Sequence, residues 1–357
     1  MRVFAKLLGV TTAVGLMATT TITGTNQLME EQLITVCLQG PPTCQFSKIQ
    51  EAINTAADGA TILIWPGLYI EPEELVISKS INLLGSEPRS VRLITGRVNV
   101  TGYAQVVISG LAIQGLIPYG TLRVYEAKVT LANVDITGSI GINVIETETE
   151  HPKPSQLTLI NVHLLGNRTN AALIIGPAAE AIVSNSELAS SESGVVLVME
   201  NAQLTISRSL IKRQGFFLGD GLWVAPRARV WLSDTQIEIS TPPGSREGPA
   251  GIVVAHGESD LILQRVTVFS TNHGILIGSK ARLRMEASHV AAIAGWGVSL
   301  VIEPCGVRLP PTADPSPQTF EGFVTGRQNE ITGAKELGDV CPSALEFLKT
   351  PEGGQYP

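Results

Sequence analysis

The chain has 357 residues, 44% hydrophobic and only 16% charged, a balance that excludes a disordered tail as its main body. Its formal charge of −7 excludes a polybasic membrane patch and, because phosphate neutralisation needs a basic face, a nucleic-acid partner. Aromatics at 5% leave an interior of aliphatic side chains, and 35 Gly with 21 Pro point to many turns and short elements.

Arg2 and Lys6 precede an apolar run over residues 7–18, followed by Thr-rich small residues to Gly24. This pattern predicts a signal peptide over residues 1–24; the run is short for a bilayer span, and a retained anchor is the alternative. The expected protein is secreted or periplasmic, with no membrane span after signal cleavage. Four cysteines follow, and an even number in an exported chain reads as disulfides with three possible connectivities. The pattern suggests Cys37–Cys44, closing a loop around Gly40-Pro41-Pro42, and Cys305–Cys341, tying the tail back. A zinc site is the competing reading, but no CxxC or paired His accompanies them, so no metal and no cofactor is expected.

Ser47 and Gln50 have capping-box spacing, and Ile49, Ala52, Ile53 and Ala56 share a face, which predicts a helix over residues 48–57 stopped by Asp58-Gly59. The strand Thr61-Ile62-Leu63-Ile64-Trp65 and the turn Pro66-Gly67 come next. From there to about residue 304 the sequence repeats at spacings of roughly 22 to 31 residues. Val129-Thr130-Leu131-Ala132-Asn133-Val134-Asp135-Ile136 and Leu157-Thr158-Leu159-Ile160-Asn161-Val162-His163-Leu164 are the clearest copies. Further copies start at Ala181, Leu204, Val230, Leu261 and Leu283, with a weaker one at Val106, and each is followed by a Gly and a short apolar strand. Strands of three to five residues cannot bury a face by pairing within one unit. Stacked about 4.8 Å apart they pair with their neighbours above and below, and like residues fall into columns.

Val129, Leu157, Leu204, Val230, Leu261 and Leu283 form one expected inward column, and Ile136, Leu164, Leu188, Ile211, Ile237, Val268 and Val290 another. Asn133, Asn161 and Asn185 align at the bend, where Asn tolerates the left-handed conformation. A sandwich lacks such alignment, a propeller needs a longer repeat, and a leucine-rich repeat shows paired Leu at shorter period. The predicted fold is all-β: a single-stranded right-handed parallel β-helix over residues 60–304. An N-terminal disulfide loop and capping helix occupy residues 33–59, and a Pro-rich tail and cap residues 305–357.

The segments Ile49-Gln50-Glu51-Ala52-Ile53, Asp58-Gly59-Ala60-Thr61-Ile62, Pro66-Gly67-Leu68-Tyr69-Ile70-Glu71 and Ile77-Ser78-Lys79-Ser80-Ile81-Asn82-Leu83-Leu84-Gly85 resemble the N-terminal region of pectin-lyase-like right-handed β-helix proteins. They look most like the carbohydrate-binding and sugar-hydrolase group of β-helix repeats. The resemblance implies the fold and a polysaccharide connection, but the catalytic motifs of pectin methylesterases and polygalacturonases have no full counterpart. Asn272-His273-Gly274 and Ile211-Lys212-Arg213 are faint echoes, and no Asp-Asp pair stands at glycosidase separation.

Two outward columns are candidate sites. Asp135, His163 and Glu187 follow one another, within about 5 Å if the register holds, and are the catalytic candidates; a solvated face is the competing reading. The Gly-led strands place Asn143, Ile174, Val196, Trp223, Val253, Leu276 and Ser299 outward. An apolar stripe of this size calls for cover by the insertions at 146–155 and 241–249, a second subunit, or a glycan. Trp223 and Trp231, expected near each other, with Val253 and Leu276, are the candidate polysaccharide- or partner-binding residues. Asn99-Val100-Thr101 and Asn167-Arg168-Thr169 match glycosylation sequons. The leading expectation is a non-catalytic exported β-helix that binds polysaccharide or a cell-surface partner along its side, with self-association open. A polysaccharide lyase or glycoside hydrolase with a diverged site is the alternative, and a periplasmic metal-handling accessory protein is a weaker third reading.

Overall fold

The structure is a computed structural model, and it describes residues 32–117, 120–142, 154–166, 171–215, 219–240, 249–307, 309 and 317–357. The expected signal peptide, Asn143, the 167–169 sequon and Pro310, Pro311 and Pro315 lie outside these residues.

Period-two alternation decides which side chains enter the interior. In Lys128–Ala132, Gln156–Ile160 and Gln203–Ser207 the second and fourth residues are buried, and the other three point outward. Successive strands of this kind pair in parallel, with Val129, Leu157, Ala181, Leu204, Val230, Leu261, Leu283 and Val324 in one line. Ile136, Leu164, Leu188, Ile211, Ile237, Val268 and Val290 form the second line. Both inward columns stand as expected. A fully buried Leu or Ile contributes about 1.5–3 kcal/mol, so aliphatic columns of this length make a core with few aromatics.

Each coil gives its first strand to a 13-stranded sheet, the first sheet, and typically its second and third strands to a 20-stranded one. The chain is the expected all-β, right-handed parallel β-helix, of about ten coils. The bend between first and second strands repeats in the left-handed region, with φ of 56° at Asn133, 54° at Asn161 and 49° at Asn185. Asn161 Nδ2 donates to Asn133 Oδ1 at 2.7 Å, so the expected Asn column is a hydrogen-bonded ladder. Higher up the same corner holds Arg208, Asp234, Arg265, Ala287 and Gln328, all at positive φ. The strain of about 1–2 kcal/mol per residue is offset by the next coil. Asn133 N–H bonds Ile160 O, Asp234 N–H bonds Gln264 O, and Ala287 N–H bonds Arg327 O.

Both ends are closed. The helix Ile49–Thr55 buries Ile49, Ala52 and Ile53 against the first coil. The expected Ser47/Gln50 capping box does not form: Lys48 is the N-cap, without a side-chain cap bond. Glu71 instead reaches across from the strand Gly67–Ile77 to accept from the Ile49 and Gln50 amides. Gln50 is thereby free to pair with the backbone of Val76, at 2.8 and 3.2 Å, and to cover that edge strand. Lys79 Nζ donates to the carbonyls of Asn54 and Ala56 at the other helix end. The Cys37–Cys44 disulfide forms as expected, and its loop lets Gln45 Oε1 accept the Thr35 amide of the outermost strand. At the far end Gly354–Tyr356 pairs antiparallel on Phe323–Arg327, and Leu345 and Leu348 of the 3-10 helix Ser343–Lys349 are fully buried.

Candidate functional site

The outer face of the first sheet carries a surface groove of about 450 Å³. In the strand Arg229–Ser233, Val230 and Leu232 point inward, so alternation turns Arg229, Trp231 and Ser233 outward. Trp231 is 49% exposed and stands in register between Thr205 and Ile262. Phe323, from a strand three coils along, adds a second exposed ring to the lining. Asp260, half-buried, lies between the exposed Arg229 Nε at 3.9 Å and the exposed Arg282 Nη1 at 3.7 Å. A half-exposed indole flanked by hydroxyls and amides suits the apolar face and hydroxyl rim of a sugar ring.

Register corrects the apolar stripe. Trp223 pairs with Leu197 and Val253, and Leu197 with Ile174. Val196 therefore points inward, and Leu197 takes the outward place expected for it. The cause is a one-residue slip. Gly194 does not lead its strand as Gly221 does, because Val196 lies level with Leu222 and so Val195 stands where the next coil has Gly221. Gly141 is level with Ile174 and holds the place expected for Asn143.

Val253 and Leu276 are 2% and 5% exposed, so they are not an open binding surface. Ala250, Val301, Val307 and Leu309 pack with them, and Trp223 and Trp296 rest half-buried on the cluster. The cover is the start of the C-terminal tail, held by the Cys305–Cys341 disulfide and by Trp296 Nε1 donating to Cys305 O at 3.3 Å. The insertions expected to supply it lie outside the described residues, save 154, 155 and 249. Trp223 sits in a third strand and Trp231 in a first, so the two indoles occupy different faces.

Asp135, His163 and Glu187 stand level with one another on adjacent coils, in the expected order. No hydrogen bond links the three among the described residues, and Asp135 faces Arg89 Nε at 3.3 Å instead. Further along the column, His289 Nδ1 meets Glu330 Oε2 at 3.1 Å. Among the described residues no group of three His, Cys, Asp or Glu is placed to hold a metal ion. Asn99 of the remaining sequon lies in the strand Val91–Val100, its Oδ1 buried and without a hydrogen-bond partner.

One buried cation has no place among the expected sites. Arg213 is fully buried in an inward column between Ser190 and Ile239, its Nε donating to Ser193 O at 3.1 Å. Asp220 lies close enough to feel its charge and accepts the Ala250 amide at 2.8 Å. Burial pushes the Asp220 carboxyl up to about 6 against the opposing pulls of the Ala250 amide and of Arg213, and burial lowers Arg213. Alternation in Leu210–Gln214, which turns Ile211 and Arg213 the same way, was the available signal. Asp220 lies between Gly219 and Gly221, a setting that marks a tight turn and does not announce a desolvated acid.

No protein-family model matches the chain, and no curated protein matches it. Among solved structures it is similar to a pectin methylesterase from carrot, at 13% identity and a TM-score of 0.45, covering 63% of this chain and 82% of that one. A pectate lyase matches at 12% and 0.44, over 88% and 78% of the two chains. The catalytic domain of a GH87 alpha-1,3-glucanase in complex with nigerose matches at 11% and 0.48, over 85% and 65%. At these identities the likeness is one of coiled architecture alone.

Proposed function

We propose that this chain is an exported, non-catalytic β-helix that binds polysaccharide along the outer face of its first sheet. The observation that carries the reading is Trp231, held half-exposed in the groove by a strand whose neighbours fix its direction. Two disulfides support export, since such bonds persist in oxidising compartments. Among the described residues no helix is long and apolar enough to cross a membrane. The polar groups lining the groove include an Arg–Asp–Arg cluster whose single carboxylate lies between two guanidinium groups, an arrangement suited to holding hydroxyls rather than to moving protons.

The test is retention on an immobilised polysaccharide panel, read beside release of reducing or unsaturated sugars. Wild type is expected to be retained without product release, and Trp231→Ala to bind at least about tenfold more weakly, a loss of about 1.4 kcal/mol. Equal retention of the variant would remove the first sheet from the reading. Sugar release by wild type would favour a lyase or hydrolase instead.

A further inference from the structure

We infer that the ligand of the first sheet is a neutral polysaccharide lying along the axis of the solenoid, and not a polyuronate; the inference rests on the reading above. Six consecutive strands, from Lys128–Ala132 to Asp260–Gln264, pair in register across this face. Their middle outward column reads Thr130, Thr158, Ile182, Thr205, Trp231 and Ile262. The third outward column, from Ala132 to Gln264, is likewise uncharged. A typical protein surface with about 25–35% charged residues would place three or four charges among these twelve positions. There are none. At about 4.8 Å per coil the uncharged strip runs about 24 Å along the axis.

The remaining outward column does not tip the balance. Over the same six coils it carries two cations, Lys128 and Arg229, and two carboxylates, Glu180 and Asp260, so the whole face is neutral. Charge enters the middle column only in the next coil, at Arg284. The bend beside the strip is charged, with Arg265 paired to Asp234 at 2.6 Å, so neutrality belongs to the strip and not to the region.

A polyuronate laid on this strip would bring one carboxylate per sugar against Thr, Ser and Ile along most of its length, and Arg229 and Arg282 at the groove already flank Asp260. Desolvating an unpaired charge costs more than stacking on one indole returns. The net charge of −7 repels a polyanion further. A neutral chain meets hydroxyl partners at Thr130, Thr158 and Thr205 and apolar contact at Ile182 and Trp231, which are 43% and 49% exposed.

The experiment measures binding of the full chain and of Trp231→Ala to soluble glucan, xylan and galactomannan, with polygalacturonate of matched length, between about 50 and about 500 mM NaCl. The expected result is binding of at least one neutral polymer that Trp231→Ala weakens about tenfold or more and that salt changes by less than about twofold, with polygalacturonate unbound. Trp231-dependent binding of polygalacturonate, alone or beside a neutral polymer, would overturn the inference and leave the first sheet as the binding face. Binding of none of the four polymers, or binding indifferent to Trp231→Ala, would overturn both.

Discussion

Arg213 is buried in a solenoid whose interior is otherwise largely aliphatic, and the desolvation of Asp220, half-buried within reach of its charge, sets a pH dependence. The folded Asp220 carboxyl titrates at about 6, above its ordinary 3.8, so folding favours the protonated form. Its contribution is complete below pH 4 and is lost as pH rises through 6, by up to about 3 kcal/mol. Asp220→Asn keeps an oxygen for the Ala250 amide and cannot titrate. Denaturant melts at a series of pH values should therefore show the variant gaining on wild type between pH 4 and 6. His273 runs the other way. Its Nδ1 accepts the Trp296 amide at 3.0 Å, and burial holds its pKa below 6.5, so its contribution is lost as pH falls through the unfolded value. His273→Asn, which keeps an acceptor, should flatten the loss of stability below about pH 6.5 in the same melts.

At the scale of single elements, the seven-residue helix is held from outside itself. Its residues alone would not stay helical in water, since segments under about 12 residues are marginal. Glu71 at its N-terminus and Lys79 at its C-terminus complement the dipole. Glu71→Ala should cost about 1–2 kcal/mol in a denaturant melt and free the Ile49 and Gln50 amides to exchange. The left-handed bend offers the opposite sign. Ala287, at φ 48°, stands where lower coils have Asn, so Ala287→Asn should stabilise by roughly 0.5–1 kcal/mol, readable as a higher midpoint. The tail segment over Val253 and Leu276 is tied by Cys305–Cys341. Replacing both cysteines by Ser should lower stability by about 2–4 kcal/mol and increase binding of a hydrophobic dye as the stripe opens.

For the molecule as a whole, repetition made the architecture legible. Inward columns and the Asn bend follow from alternation and spacing, because a coil that slips by one residue turns every buried Leu outward. The same logic shows what spacing could not decide. Gly194 and Gly221 look equivalent in sequence, yet backbone pairing sets Val195 level with Gly221, and Leu197 replaces Val196 on the surface. Ser47 and Gln50 have the spacing of a cap, but a carboxylate 22 residues away takes the helix amides, and no local pattern announces a partner brought in by the next coil. The outward apolar stripe was readable; that the tail covers it, and that Trp223 and Trp231 look out from different faces, was not. Periodicity by itself determined which residues enter the interior, since burial is a local choice repeated at every coil. Tertiary structure alone decided which of the outward residues stay in water, since that depends on where the chain returns after the last coil and which sheet each bend feeds.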